Sequence, residues 1–257
     1  LEKQRVGGSV EDWLPAYEAE FESVASKRLV ELTPEEAAAV RVSYLLPKLR
    51  MLLNRKRCGR LKARLILQGF QEPFEWDHGV SNASPVAYLA TVRALLARAG
   101  HAQGRVVTSR DISVAFLQSS AYGPEEQARY VSYQPYKGAA PRTFKLLGPL
   151  YGQRSAPRRW YATVAAWLTK PEAEGGAGLI QGCNEPCMFR HPTKDLVVVL
   201  YVDDILTSGD EASTARFHEL MGLEYDCTEP AYLAVDSPLD FLGFSITKEV
   251  VDGAEHI

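Results

Sequence analysis

Long apolar runs are missing from this sequence of 257 residues. No stretch approaches the roughly 18–20 residues that a membrane-spanning helix needs, so no membrane partner is expected. The opening "LEKQRVGGSVEDW" carries no apolar leader core. It also begins on Leu1 and not on Met, which suggests a part excised from a longer product. Cysteines are few: Cys58, Cys183, Cys187 and Cys227. Only Cys183 and Cys187 are close, and no His or Cys pair nearby completes a zinc set. Reduced structural thiols in an intracellular protein are the expectation. Repeats, low-complexity tracts and heptads are absent as well.

A large net charge is also lacking, at −3, which by itself argues against a nucleic-acid partner. The distribution argues the other way. Acids outnumber bases from Glu2 to Glu36, whereas "KLRMLLNRKRCGRLKAR" (48–64) has eight Lys or Arg in seventeen residues and no acid. Such a run is either a solvated face or a local attractor of phosphates.

What is present reads as alternating elements. Thr33, Pro34 and Glu36 spell a helix start. "LKARLILQGF" alternates, with Lys62 and Arg64 on one face, Ala63 and Leu65 on the other, and a break at Gly69. Ser84-Pro85 repeats the cap-then-proline signal before a helix that stops at Gly100. "RVVTSRDISVAFL" predicts a strand with Asp111 in its second half. "YVSYQP" and "FKLLGPLYG" predict two more, and a helix runs from about Pro157 to Thr169 with Ser155 as its cap. "LVVVLYVDDILTSG" reads as a hairpin hinged at Asp203 and Asp204. A helix closed by Gly222 and a last strand, "LDFLGFSI", follow. This order predicts an α+β fold, its helices on one face of a mainly antiparallel sheet and the other face free for a substrate.

Two adjacent carboxylates after an apolar strand pose a question of charge, because a buried charge must be paired or hold a metal. A DD pair is also a common turn. If the Asp111 strand lies beside the hairpin, three carboxylates converge; they would repel unless a cation neutralises them. Hard oxygen ligands suit Mg²⁺, and two such ions about 3.5–4 Å apart can support an in-line phosphoryl displacement.

The chain resembles the reverse transcriptase domain of copia-type retrotransposons, collinearly from about Trp13 to Ile246. The blocks are "KARLILQGF" (62–70), "SPVAYLATVRALLA" (84–97), "DISVAFL" (111–117), "LYGQRSAPRRWY" (150–161), "LYVDDIL" (200–206) and "FLGFSI" (241–246). The resemblance implies a right-hand polymerase. It places a lead-in at 1–44, mainly fingers at 45–104, mainly palm at 105–250, and the start of a missing or truncated thumb at 251–257. It implies an RNA-directed DNA polymerase that adds a dNTP to a primer 3′-hydroxyl. The implied cofactors are two Mg²⁺ ions, with Mn²⁺ as a substitute. Asp111, Asp203 and Asp204 would be the catalytic, metal-holding carboxylates, with the Ile112 carbonyl completing coordination. Phe116 would gate the sugar, with a core aromatic as the alternative. Lys62 and Arg64 would grip the triphosphate, with ordinary solvated charges as the alternative. Gly152 would lie beside the new base pair. Arg158, Tyr201 and Gly243 would meet primer or template; Trp160 and Tyr161 read as packing residues.

The implied partners are an RNA or DNA template with its primer, dNTP, and adjacent RNase H and integrase domains of a polyprotein. The implied location is cytoplasmic, in a virus-like particle, or nuclear. Departures from the family pattern stand at Gln68, Ser119, Gln153, Arg154 and Ser155. They favour, as the competing reading, an inactive nucleic-acid-binding remnant.

Overall fold

The computed structural model describes residues 9–56, 58–77, 81–101, 104–251 and 254–257. Arg57 of the basic run, and Asp252 and Gly253 of the segment expected to begin a thumb, lie outside them. The chain forms two compact units, residues 1–83 with 119–160 and residues 84–118 with 161–257.

In the first unit the acid-rich opening holds a helix that the sequence reading missed. Ser9 and Asp12 cap each other reciprocally and start α1 (Val10–Arg28). Acids in its first turn and Lys27 and Arg28 in its last match the helix dipole. The Thr33–Glu36 capping box, with Pro34 in the first turn, starts α2 (Pro34–Ser43) as predicted. A five-stranded sheet follows in the order Leu29–Glu31, Arg142–Leu146, Arg129–Tyr133, Lys48–Arg55, Leu61–Leu67. Only the pairing of Lys48–Arg55 with Arg129–Tyr133 is parallel. The predicted alternation holds: Ala63, Leu65 and Leu67 are buried, while Arg64 is exposed and Lys62 half-buried. Leu61–Leu67 is an edge strand. α1 covers it, and the Leu65 N–H donates to Glu20 Oε1 at 2.9 Å.

The second unit carries an antiparallel six-stranded sheet in the order Ala231–Tyr232, Arg105–Asp111, Asp204–Asp210, Leu196–Tyr201, Met188–Arg190, Ile180–Gln181. The α+β class is therefore as predicted. The free sheet face is not. Ile205, Leu206, Thr207 and Ser208 are buried in succession, and successive residues point to opposite faces, so both faces are covered along the central strand. Its hairpin end, Tyr201 to Asp204, is half-buried.

Several boundaries also move. α3 (Leu89–Gly100) starts later than Ser84-Pro85 predicts, because Glu185 supplies the cap from elsewhere in the chain. Its Oε2 accepts from the Tyr88 N–H (3.0 Å) and the Thr91 hydroxyl (2.7 Å). α4 (Ala156–Thr169) forms where expected, but among the described residues the Ser155 hydroxyl caps nothing; only its carbonyl accepts, from Arg159 N. α5 (Glu211–Glu224) runs past Gly222 and is capped at Tyr225. "LDFLGFSI" is not one strand but a hairpin, Leu239–Phe241 with Phe244–Ile246. Its turn residues Leu242 and Gly243 take φ of 53° and 77°, the pattern of a type I′ turn.

α5 lies on one sheet face through a buried polar chain. His218 Nε2 meets Thr108 Oγ1 at 2.7 Å, and Thr108 Oγ1 meets Thr207 Oγ1 at 2.5 Å. Burial, then Arg110, pushes the His218 imidazole down to about 4. A lowered base is stabilising when neutral, so this contribution is lost as pH falls from about 6.5 to 4. The expected size is about 3 kcal/mol. Chemical denaturation of a His218→Gln chain across that window should show the contribution gone.

Candidate active site

The half-buried end of the second sheet is built by a two-residue hairpin. Tyr201 pairs with Asp204, leaving Val202 and Asp203 as the turn. Val202 takes φ of 56°, a conformation rare for a β-branched residue and ordinarily given to glycine at the first position of a type II′ turn. Backbone strain of this kind gathers at functional sites.

Register then does what the sequence reading required. Asp204 is the cross-strand partner of Asp111, and both share a face with Tyr201. The neighbouring Ile112 N–H donates to the Asp203 carbonyl at 2.9 Å. Asp111 and Asp204 therefore form a non-hydrogen-bonded pair, the kind whose side chains approach most closely. Asp111 closes its strand and does not sit inside a longer one as expected. The chain turns at Ile112, passes Val114 at φ of 46°, and enters a 3-10 turn at Ala115–Gln118.

The electrostatics follow from this crowding. Burial first, then Asp203 and Asp111, push the Asp204 carboxyl up to about 6. Among the described residues no three His, Cys, Asp or Glu side chains are gathered into a ready metal cluster. The donor set nonetheless fits a hard cation: crowded carboxylate oxygens are destabilised by their own charge and relieved by an opposite one.

The remaining residues singled out from sequence fall as follows. In this unit the Ile112 side chain is 1% exposed and packs inward, and its N–H is taken by Asp203, so its part in holding a ligand could come only from its carbonyl. Phe116 is half-buried in the 3-10 turn beyond Asp111. Gly243 occupies the Leu242–Gly243 turn. Thr228 was missed. Its hydroxyl accepts from the Asp111 N–H at 3.1 Å and its own N–H donates to the Asp111 carbonyl at 2.9 Å. Nothing in "YDCTEP" signals such a contact.

In the first unit, Lys62 and Arg64 share a sheet face with Arg50, because Arg50 pairs with Ile66 and Leu52 with Arg64. The Arg64 guanidinium lies 4.6 Å from the Tyr151 ring centroid. Burial raises the Glu20 carboxyl, with Arg64 and Lys62 opposing, so an acid stands near both cations. Gly152, at φ of 86°, packs against the backbone of Leu67: a Cβ there would lie 2.1 Å from the Leu67 carbonyl oxygen. Its glycine is thus required by the fold. Arg158 is exposed on α4. Three of the departures find partners, whereas the hydroxyls of Ser119 and Ser155 are buried without one among the described residues. The Gln153 side-chain oxygen accepts from Leu150 N (2.8 Å) and the Tyr122 hydroxyl (3.0 Å), Gln68 accepts from Gln71, and Arg154 is held by Glu72.

The family model for "Reverse transcriptase (RNA-dependent DNA polymerase)" matches residues 28–252. The retrovirus-related Pol polyprotein from transposon TNT 1-94 of Nicotiana tabacum is 28% identical over 198 residues, 74% of this chain and 14% of that protein. The Pol polyprotein from transposon RE1 of Arabidopsis thaliana is 30% identical over 159 residues, 59% of this chain and 10% of that protein. The chain thus spans only a small part of these relatives. Among solved structures, telomerase from Candida albicans, in complex with a TWJ fragment of telomeric RNA, aligns with a TM-score of 0.53 at 12% identity, covering 91% of this chain and 48% of that one. Apo telomerase from Candida tropicalis aligns at 0.52 and 11% identity, covering 93% of this chain and 58% of that one. At these identities the likeness shows the fold alone.

Proposed function

The chain belongs to the reverse transcriptase family, and on that premise we propose that its acidic hairpin is the centre of an RNA-directed DNA polymerase. The reaction is attack of a primer 3′-hydroxyl on the α-phosphorus of a dNTP, with release of pyrophosphate. One observation carries this reading: the register that sets Asp204 opposite Asp111, with Asp203 in the adjoining turn.

Asp111, Asp203 and Asp204 would hold two Mg²⁺ ions, aided by the Ile112 carbonyl; Mn²⁺ offers the same preference for oxygen. Bound there, the ions would stabilise the attacking and leaving oxygens. The protein's share is positioning and fixed charge, and no side-chain nucleophile is required. Phe116 would exclude a 2′-hydroxyl and so favour dNTP over rNTP. The second unit would serve as palm and the first as fingers, which differs from the linear division expected from the sequence in giving 84–104 to the palm and 119–160 to the fingers. Template and primer would meet Arg158, Tyr201 and Gly243, with Gly152 near the new pair. RNase H and integrase domains are the neighbours expected in a Pol polyprotein.

Lys62 and Arg64 would bind the triphosphate, Arg64 through its planar fork. Two results test this reading. A labelled primer on an RNA template should lengthen only when the complementary dNTP is present; shortening would point to a nuclease. Lys62→Ala and Arg64→Ala should each raise the dNTP KM about tenfold, the loss of one charge-assisted contact. An unchanged KM would remove the triphosphate role.

A further inference from the structure

Asp111 ends its strand against residues 226–228, and the pairing there is irregular. Ser109 pairs with Ala231, whereas Ile112 bridges to Cys227. Between these pairs two residues on one side, Arg110 and Asp111, face three on the other, Thr228 to Pro230, which makes a β-bulge, a device that re-aims side chains beside active sites. Pro230 lies within the bulge and has no N–H for the ladder. Side chains supply what the ladder lacks. Thr228 bonds the Asp111 backbone in both directions, its hydroxyl also reaching the Asp111 carbonyl at 3.4 Å. Arg110 Nε donates to the Thr228 carbonyl at 2.7 Å, and its Nη1 to the carbonyl of His218 on α5 at 2.5 Å. On the far side of Asp111, Gln118 brackets Asp226. It accepts from the Asp226 N–H (2.8 Å) and donates to the Asp226 (3.0 Å) and Ser113 (2.6 Å) carbonyls.

We propose that Thr228 is a positioning residue for the acidic site, fixing the main chain of Asp111 so that its carboxylate stays opposed to Asp204. The proposal rests on the polymerase reading of that site. Removing a hydrogen bond that orients a metal-holding group typically costs about 10–100-fold in metal affinity or activity.

The test compares Thr228→Val, which keeps the shape and removes the hydroxyl, with Thr228→Ser, which keeps it. Mn²⁺ binding is measured without nucleic acid, and Mg²⁺-dependent primer extension beside it. Thr228→Val should weaken Mn²⁺ binding at least about tenfold and shift the Mg²⁺ dependence to match. The dNTP KM at saturating metal should hold within twofold, and Thr228→Ser should behave as the native chain. A Thr228→Val chain that melts lower yet binds Mn²⁺ normally overturns the proposal, as does a Ser variant that fails equally. Should the native chain bind Mn²⁺ without extending a primer, the polymerase reading fails while the Val/Ser comparison still decides the role of Thr228. No Mn²⁺ binding by the native chain overturns both.

Discussion

At pH 7.5 and without divalent cations, an Asp204→Asn chain is expected to melt at a higher temperature than the native one. It is also expected to extend a primer at least about 1,000-fold more slowly, the scale of losing a central electrostatic stabiliser. Asp204 is destabilising when charged, because burial, Asp203 and Asp111 all favour its neutral form. An acid with a raised folded-state pKa contributes fully below its unfolded value, and that contribution is lost as pH rises through the folded value. The advantage of Asn should therefore be absent below about pH 4, grow to about pH 6, and stay level above. Mg²⁺ should raise the native melting temperature by binding the folded state alone, and the variant's much less. Thermal scans against pH and Mg²⁺ check each statement. His218 works in the opposite sense over nearly the same window, so removing either group should uncover the slope of the other.

Gly152→Ala is expected to destabilise the first unit by about 3 kcal/mol or more, among the larger single-residue effects. Two causes combine. At φ of 86° any Cβ is strained, and here it would also sit 2.1 Å from the Leu67 carbonyl oxygen, a backbone atom with no rotamer to escape into. Gly175 separates the two. It has the same φ of 86° with nothing within 4 Å, so Gly175→Ala should lose only the conformational part, about 1–2 kcal/mol. Denaturant midpoints of the two variants give the difference. Equal losses would deny the close approach.

The parts legible in the sequence were those with local causes. The Thr33 capping box, the alternation around Lys62 and Arg64, and the hairpin at Asp203 each rest on residues within a few positions of one another. The juxtaposition of Asp111 with Asp204, far apart in the chain, was legible only on the condition that their two strands are neighbours, a condition the register meets. What stayed hidden depends on distant partners. α3 starts at Leu89 because Glu185 caps it. Gly222 does not end α5, since the helix continues to Glu224. The sheet face expected to be free is covered along Ile205–Ser208. Thr228 contacts Asp111 across a bulge that no spacing announces. Gln153, which stands out as a polar departure, is answered by Tyr122, thirty-one residues earlier in the chain.

The most direct measurement is primer extension on an RNA template with dNTPs and Mg²⁺, run for the native chain beside an Asp203→Asn/Asp204→Asn chain, with primer–template binding followed in parallel. The expected result is extension by the native chain alone, with both chains holding the primer–template about equally. Extension by the substituted chain at a similar rate would contradict the assignment of these carboxylates as the polymerase centre. Equal binding with extension by neither chain would contradict the polymerase reading itself.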